Sequence, residues 1–225
     1  MSSKQIFLLP FAGGNCYSYR SLTNYISKDY DIFTLELPGR GKRTSEDLIR
    51  NREAAIRDYL YQIMRLRNGK PYLIFGHSMG AIMAFYLTLQ LESRFDAPRR
   101  IIVTGSAGPG IASYKKEYLS SDNEFKEVLR SFGGMPEEVL SDDSLFNFFN
   151  PILRSDFQIL EEFDLPNEYI KTDVLAIMGN NEKHASFIEN WKKFSFGKVL
   201  VNHLEGGHFF INQHLNEIAL EINHS

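Results

Sequence analysis

Gly76-His77-Ser78-Met79-Gly80 sets a serine between two glycines at the spacing G-x-S-x-G. An apolar, β-branched and aromatic run, Pro71-Tyr72-Leu73-Ile74-Phe75, comes before it, and an apolar helix-forming stretch from Met79 to Leu91 follows. That order describes a sharp strand-to-helix turn, in which flanking glycines leave room for the backbone and lift the hydroxyl clear of the chain. A serine hydroxyl is a poor nucleophile near neutral pH, so it needs a base within hydrogen-bond reach and an acid to orient that base. The chemistry of such a set is acyl transfer, and the amide of Met79 would face the site as one donor to a developing oxyanion. The serine motif alone also arises in ordinary tight turns; the strand before and helix after raise it above that reading.

Of the six histidines, His208 is placed best for the base. It lies in Glu205-Gly206-Gly207-His208-Phe209-Phe210, directly after the last strand-like run, where a loop returns over the C-terminal edge of a sheet. His77 is read as packing or hydrogen-bonding locally, and His184, His203, His214 and His224 have no zinc spacing and are read as surface or structural residues. The acid should follow the preceding strand, which ends in Ile177-Met178-Gly179-Asn180-Asn181-Glu182, and Glu182 is the carboxylate at its mouth. Glutamate can hold the histidine tautomer as aspartate does, but its extra methylene demands a backbone set further back. Two alternatives stay open: Glu182 is a solvated loop charge, or another acid such as Asp156 or Asp173 reaches across. Asp173 stands at the wrong end of a strand and Asp156 in an inserted helical stretch. The second oxyanion donor is expected from the glycine-rich loop Pro10-Phe11-Ala12-Gly13-Gly14-Asn15, at the amide of Ala12. Cys16 nearby is read as a small buried side chain rather than a reactive thiol.

Short apolar runs alternate with longer amphipathic ones, the pattern of βαβ units and a mainly parallel sheet flanked by helices. Strands are expected at Gln5–Leu9, Asp31–Leu37, Tyr72–Gly76, Arg100–Gly105, Asp173–Met178 and Lys198–Leu204. Helices are expected near Tyr17–Ser27, Leu48–Arg67, Met79–Leu91, Phe187–Phe194 and Asn212–Ile222. The alternation stops over about residues 106–170, a stretch rich in Phe, Leu, Asp and Glu with breaks at Gly133-Gly134, Pro136 and Pro151. It reads as several short helices forming a lid over a single domain spanning 1–225.

A chain of 225 residues that is 43% hydrophobic and 24% charged suits one sizeable soluble core. A net charge of -3 and a pI near 6.1 supply no basic field for nucleic acid. One cysteine excludes an internal disulfide framework and the common cysteine metal sites, which fits a reducing, cytoplasmic setting. The apolar run Ile6 to Pro10 is too short for a signal peptide or membrane span, so no membrane partner is expected. Gly39-Arg40-Gly41-Lys42-Arg43-Thr44 fails the phosphate-loop spacing, and neither a metal nor a cofactor is expected.

Pro10-Phe11-Ala12-Gly13-Gly14, Leu37-Pro38-Gly39-Arg40-Gly41-Lys42-Arg43, Lys70-Pro71-Tyr72 running into Phe75-Gly76-His77-Ser78-Met79-Gly80-Ala81, Leu153-Arg154-Ser155-Asp156-Phe157 and Gly206-Gly207-His208-Phe209-Phe210 follow in this order. Together they resemble the type II thioesterases, free-standing editing enzymes of nonribosomal peptide and polyketide synthetases, over essentially the whole chain. The resemblance implies an α/β-hydrolase fold with a helical lid, and hydrolysis of acyl groups from the phosphopantetheine arm of a carrier protein. It implies Ser78 and His208 as catalytic residues and Ala12 and Met79 as oxyanion donors. The chain departs from the family where Gly179-Asn180-Asn181-Glu182 replaces a G-x-x-D pattern, where the segment onward to Trp191 is short, and at Phe85-Tyr86, where relatives often have Phe-Glu. A thiol is a good leaving group, so the demand on the acid is lighter than for an amide. Two rivals remain: a general carboxylesterase or lipase, and a catalytically weakened homologue that binds carriers. Phe125, Phe132, Phe146, Phe148, Phe149 and Phe157 could line an acyl channel or serve mostly as core, and Arg40, Lys42 and Arg43 could meet an acidic carrier or remain a solvated loop.

Overall fold

Six strands, β1 (Lys4–Leu9), β2 (Tyr30–Thr34), β3 (Tyr72–His77), β4 (Arg100–Thr104), β5 (Asp173–Gly179) and β6 (Val199–Leu204), pair in parallel in the order β2-β1-β3-β4-β5-β6. The computed structural model describes residues 4–111, 116–161 and 166–225. Because β2 lies outside β1 and β3 on its other side, the chain winds to one edge and then returns across the sheet. The carboxyl ends of β1 and β3 therefore form a switch point, where open α/β sheets bind their ligands. Ile6, Phe7, Leu8 and Leu9 of β1 are all buried and divide between the cores on the two faces of the sheet, which is why the strand reads as a continuous apolar run.

The helices are α1 (Arg20–Thr23), α2 (Arg52–Leu66), α3 (Met79–Glu92), α4 (Asp122–Phe132), α5 (Glu137–Ser141), α6 (Asp143–Glu161) and α7 (Leu215–Asn223). Helix α2 starts later than the expected Leu48 because the Asn51 side chain accepts the Ala54 amide at 3.0 Å and caps it there. The helix expected over Tyr17–Ser27 shrinks to the single turn of α1. Ahead of it Asn15 and Ser18 bond local amides with their side chains, an alternative to helical pairing. β2 likewise stops at Thr34, short of the expected Leu37; beyond it the Glu36 carboxylate accepts the amides of Cys16 and Lys42, each at 2.8 Å. The segment expected as a helix at Phe187–Phe194 is a 3-10 helix at Ala185–Lys193.

Helices α4 to α6 occupy the expected insertion between β4 and β5; residues 112–115 and 162–165 of that stretch lie outside the described residues. Helix α4 has a capping box between Ser121 and Glu124 and ends at Gly133 in the left-handed region, φ 71°. Pro151 does not break the chain as expected but sits within α6, which runs for 19 residues. An interior proline costs about 3 kcal/mol. Burial of Ile152, Leu153, Phe157 and Ile159 on the same helix, at about 1.5–3 kcal/mol each, outweighs that. Phe125, Leu129, Leu140, Phe146, Leu153 and Phe157 make a small core of their own here. No helix among the described residues is long and apolar enough to cross a membrane.

Candidate active site

Between β3 and α3 the chain reverses so sharply that Ser78 adopts φ 55°, ψ -113°, a conformation costing a non-glycine residue about 1–3 kcal/mol. The Ser78 amide donates to the Thr104 carbonyl at 2.8 Å, which anchors the turn to β4. Both flanking glycines answer to close backbone approach. A Cβ on Gly76 would lie 2.2 Å from the Gly80 carbonyl oxygen, and one on Gly80 would lie 2.0 Å from that of Leu9. The first turn of α3 is thus pressed against the end of β1.

His208 Nε2 lies 2.9 Å from Ser78 Oγ, and His208 Nδ1 lies 2.7 Å from Glu182 Oε2. A carboxylate only accepts, so the Nδ1 proton donates to Glu182 and Nε2 is left to accept from the serine hydroxyl. The loops carrying the two residues are laced together. Asn180 N–H donates to the Leu204 carbonyl at 2.8 Å, Asn181 N–H to that of Gly206 at 3.0 Å, and Gly206 N–H to Asn180 Oδ1 at 3.1 Å. A Cβ on Gly179 would lie 2.4 Å from the Gly206 carbonyl oxygen, so the end of β5 abuts the histidine loop directly. The Glu182 and His208 side chains are only 7% and 12% exposed, which removes the open alternative of a solvated loop charge.

The other two carboxylates are committed elsewhere. Asp173 accepts the Lys198 amide at the start of β5. Asp156 makes a bidentate pair with Arg40, Oδ2 to Nη1 at 2.5 Å and Oδ1 to Nη2 at 2.7 Å, with both side chains buried. Burial opposes the Arg40 charge, but the Asp156 carboxylate outweighs it and holds the guanidinium above its ordinary pKa. Asp156 Oδ2 also accepts the Gly13 amide at 2.7 Å. Gly14 N–H donates to the Phe11 carbonyl at 2.8 Å, and Gly13 has φ 77°, so Phe11 to Gly14 form a tight turn whose third residue must be glycine. The amides of Ala12 and Met79 donate to no described residue. The tie between Asp156, Arg40 and the loop after β1 joins residues 116 and 143 positions apart, and its one trace in the sequence is that all three lie in the motif series shared with the thioesterases.

Arg40 and Arg43 are not free to meet a carrier, contrary to one expectation. Arg40 is internal, and Arg43 pairs with Glu46 and Asp58 and donates to the Glu36 carbonyl, while the Lys42 ammonium lies over the Tyr17 ring. Of the lid aromatics, Phe125, Phe146 and Phe157 are core and Phe149 packs on that core. Phe148 is exposed, and Phe132, partly exposed, lies with its ring centroid 5.0 Å from that of His208. His77 is fully buried, its Nδ1 2.9 Å from Thr104 Oγ1 and its ring 5.0 Å from that of His208. Burial, with the nearby His208 adding to it, holds the His77 pKa well below 6.5. His203 bonds the Ala185 carbonyl and His214 meets Glu217, while His184 lies by Phe187 and His224 closes α7. Cys16 is a free thiol whose pKa burial pushes up, and it is partly rather than fully buried. No group of three or more His, Cys, Asp or Glu among the described residues could hold a metal.

Residues 4–225 match the family model described as the thioesterase domain. The chain belongs to the thioesterase family. This thioesterase is 29% identical over 212 residues to the gramicidin S biosynthesis protein GrsT of Aneurinibacillus migulanus, covering 92% of its own length and 82% of that protein. It is 25% identical over 221 residues to a probable cadicidin biosynthesis thioesterase of Streptomyces griseus, of which it spans 61% while 97% of its own chain is covered. The solved structure of the type II thioesterase BorB from the borrelidin biosynthetic cluster is 26% identical, with a TM-score of 0.86 over 99% of this chain and 92% of that one. The thioesterase has the α/β-hydrolase fold, and its family makes it an enzyme acting on thioester bonds.

Proposed function

We propose that this thioesterase removes acyl groups from the phosphopantetheine arm of carrier proteins, clearing stalled or misprimed peptide or polyketide synthetases in the cytoplasm. The observation that carries the reading is the hydrogen-bonded chain from Ser78 through His208 to Glu182 at the carboxyl edge of the sheet. Likeness to GrsT, a gramicidin S biosynthesis protein, and to BorB, a type II thioesterase of the borrelidin biosynthetic cluster, supports the carrier as substrate.

Ser78 Oγ attacks the thioester carbonyl carbon while His208 Nε2 takes the hydroxyl proton and Glu182 stabilises the imidazolium. The amides of Ala12 and Met79 donate to the oxyanion, each contributing about 3 kcal/mol to the transition state. The C–S bond then breaks, and the pantetheine sulfur leaves with the proton from His208. In the second half, His208 removes a proton from water, which attacks the acyl-Ser78 ester; Ser78 recovers its proton and the carboxylic acid departs. Helices α4 to α6 act as the lid of a single domain, with the Phe132 ring packed beside that of His208.

Hydrolysis of acetyl- and longer acyl-phosphopantetheinyl carrier protein, measured beside free p-nitrophenyl esters, tests the assignment. Preferential turnover of the carrier thioester is expected. Turnover of free esters alone would make the protein a general esterase, and carrier binding without turnover would make it a scaffold.

A further inference from the structure

The carboxylate of Asp156 has a second use beside its ion pair. One oxygen, Oδ2, accepts from both Arg40 Nη1 and the Gly13 amide, while Oδ1 accepts from Arg40 Nη2. An unpaired carboxylate in this place would carry a large desolvation penalty, and the guanidinium removes that penalty while orienting both oxygens. Gly13 is the third residue of the turn from Phe11 to Gly14, and its amide belongs to the central peptide, the one that can rotate in a tight turn. Accepting that amide selects one orientation of the peptide, because rotation would bring the Ala12 carbonyl toward the carboxylate instead. One turn earlier on α6, Leu153 closes against the same glycine: a Cβ on Gly13 would lie 2.7 Å from Leu153 Cδ2. Helix α6 therefore holds this turn at two points, one polar and one apolar.

We propose that Asp156, held by Arg40, is a positioning residue that fixes the Ala12 amide against Ser78 by gripping the adjacent Gly13 peptide from the lid. The inference rests on the reading of Ala12 as an oxyanion donor. Asp156 itself touches no reacting atom, so its loss acts through the turn. An oxyanion donor displaced by a fraction of an ångström loses transition-state stabilisation without losing substrate affinity, which separates positioning from a role in binding.

The experiment compares wild type, Asp156→Asn and the charge-preserving Arg40→Lys on one acyl-pantetheine thioester, with active sites counted by stoichiometric labelling with a fluorophosphonate. Per labelled site, Asp156→Asn should lower kcat by about 100-fold, the loss typical of a misplaced oxyanion donor. KM should stay within about twofold, and the midpoints of the pH profile should not move, because the triad is untouched. Arg40→Lys, which keeps the charge but loses the fork, should lower kcat about tenfold. A wild-type kcat per labelled site in both variants, with only the labelled fraction reduced, would overturn the proposal and leave the pair a structural tie. A rise in KM at constant kcat would also overturn it. If Asp156→Asn yields no folded protein, Arg40→Lys alone decides by the same criteria. A wild-type protein inactive on thioesters, or one equally active as Ser78→Ala, would instead remove the underlying reading.

Discussion

Glu182 Oε2 lies 2.7 Å from His208 Nδ1 while Glu182 Oε1 accepts the Gly179 amide at 2.9 Å. The Glu182 amide in turn donates to the Gly179 carbonyl at 3.1 Å, so the residue closes a small turn on the strand that carries it. The extra methylene of glutamate is absorbed by this folding back. Both carboxylate oxygens are used, one on the Gly179 amide and one on His208.

Glu182→Gln should therefore lower kcat by about 100- to 1000-fold on a carrier thioester, below the roughly 10⁴-fold effect seen where the leaving group is an amine. The amide would donate to Nδ1 and select the wrong tautomer. Glu182→Asp keeps the charge but falls short of making both bonds, and about a tenfold loss is expected. Steady-state kinetics on one acyl-pantetheine substrate checks both, and full activity in Glu182→Gln would return the acid to the status of a loop charge.

Gly80→Ala places a methyl against the backbone of Leu9 and Pro10, neither of which can yield as a side-chain end would. Overpacking of this kind costs about 3 kcal/mol. Urea denaturation followed by far-UV circular dichroism should show an unfolding free energy lowered by about that amount, read as a lower midpoint at unchanged m value, or no cooperative transition at all; an unshifted midpoint would mean the elbow is looser than its geometry.

His77 supplies a pH dependence of stability. Its folded pKa is depressed by burial, whereas in the unfolded chain it titrates near 6.5. Below that pH the unfolded state binds a proton that the native state refuses, so the stabilisation is present above about 6.5 and fades as the pH falls. Glu161 works in the opposite sense. Its carboxyl is pushed up to about 7 by burial, so its protonated form favours the native state at acid pH. The contribution of His77 is isolated by difference: the Tm of wild type minus that of His77→Gln should fall as the pH is lowered from about 7.5 to about 5.5. A difference that stays constant would show that His77 takes up its proton in the folded protein as readily as in the unfolded chain.

Phe132 covers His208 while remaining 42% exposed, so it contributes little to folding. Phe132→Ala should leave Tm within a few degrees and lower kcat/KM for a long acyl thioester by about tenfold, the value of part of an apolar contact. Acetyl thioesters should be affected less. Equal losses on both chain lengths would point to a role in holding His208 rather than in meeting the acyl group.

Much of this site was legible in the residues themselves. The elbow could be read because two glycines and a strand-helix boundary encode it locally, and His208 because paired glycines follow the last strand. Glu182 was legible as the acid nearest the right strand end, though its folding back on Gly179 was not. The pairing of Asp156 with Arg40 and Gly13 was hidden, since it joins two loops and a helix distant in sequence and its residue types have ordinary surface readings. Arg40 and Arg43 were open to reading as a carrier contact or a solvated loop, because a basic run in a polar loop does not show that its guanidiniums turn inward onto Asp156 and Asp58. The continuous α6 was missed because a proline is a local signal, and the burial of its neighbours, a tertiary effect, overrode it.

The most direct test is to mix the enzyme with an acyl-pantetheine thioester, quench within one turnover, and locate the acyl group by peptide mass spectrometry, with Ser78→Ala in parallel. The acyl group should appear on Ser78 with release of one equivalent of thiol, and Ser78→Ala should release none above the uncatalysed background. Wild-type thiol release from Ser78→Ala, or an acyl group on any other residue, would contradict the account.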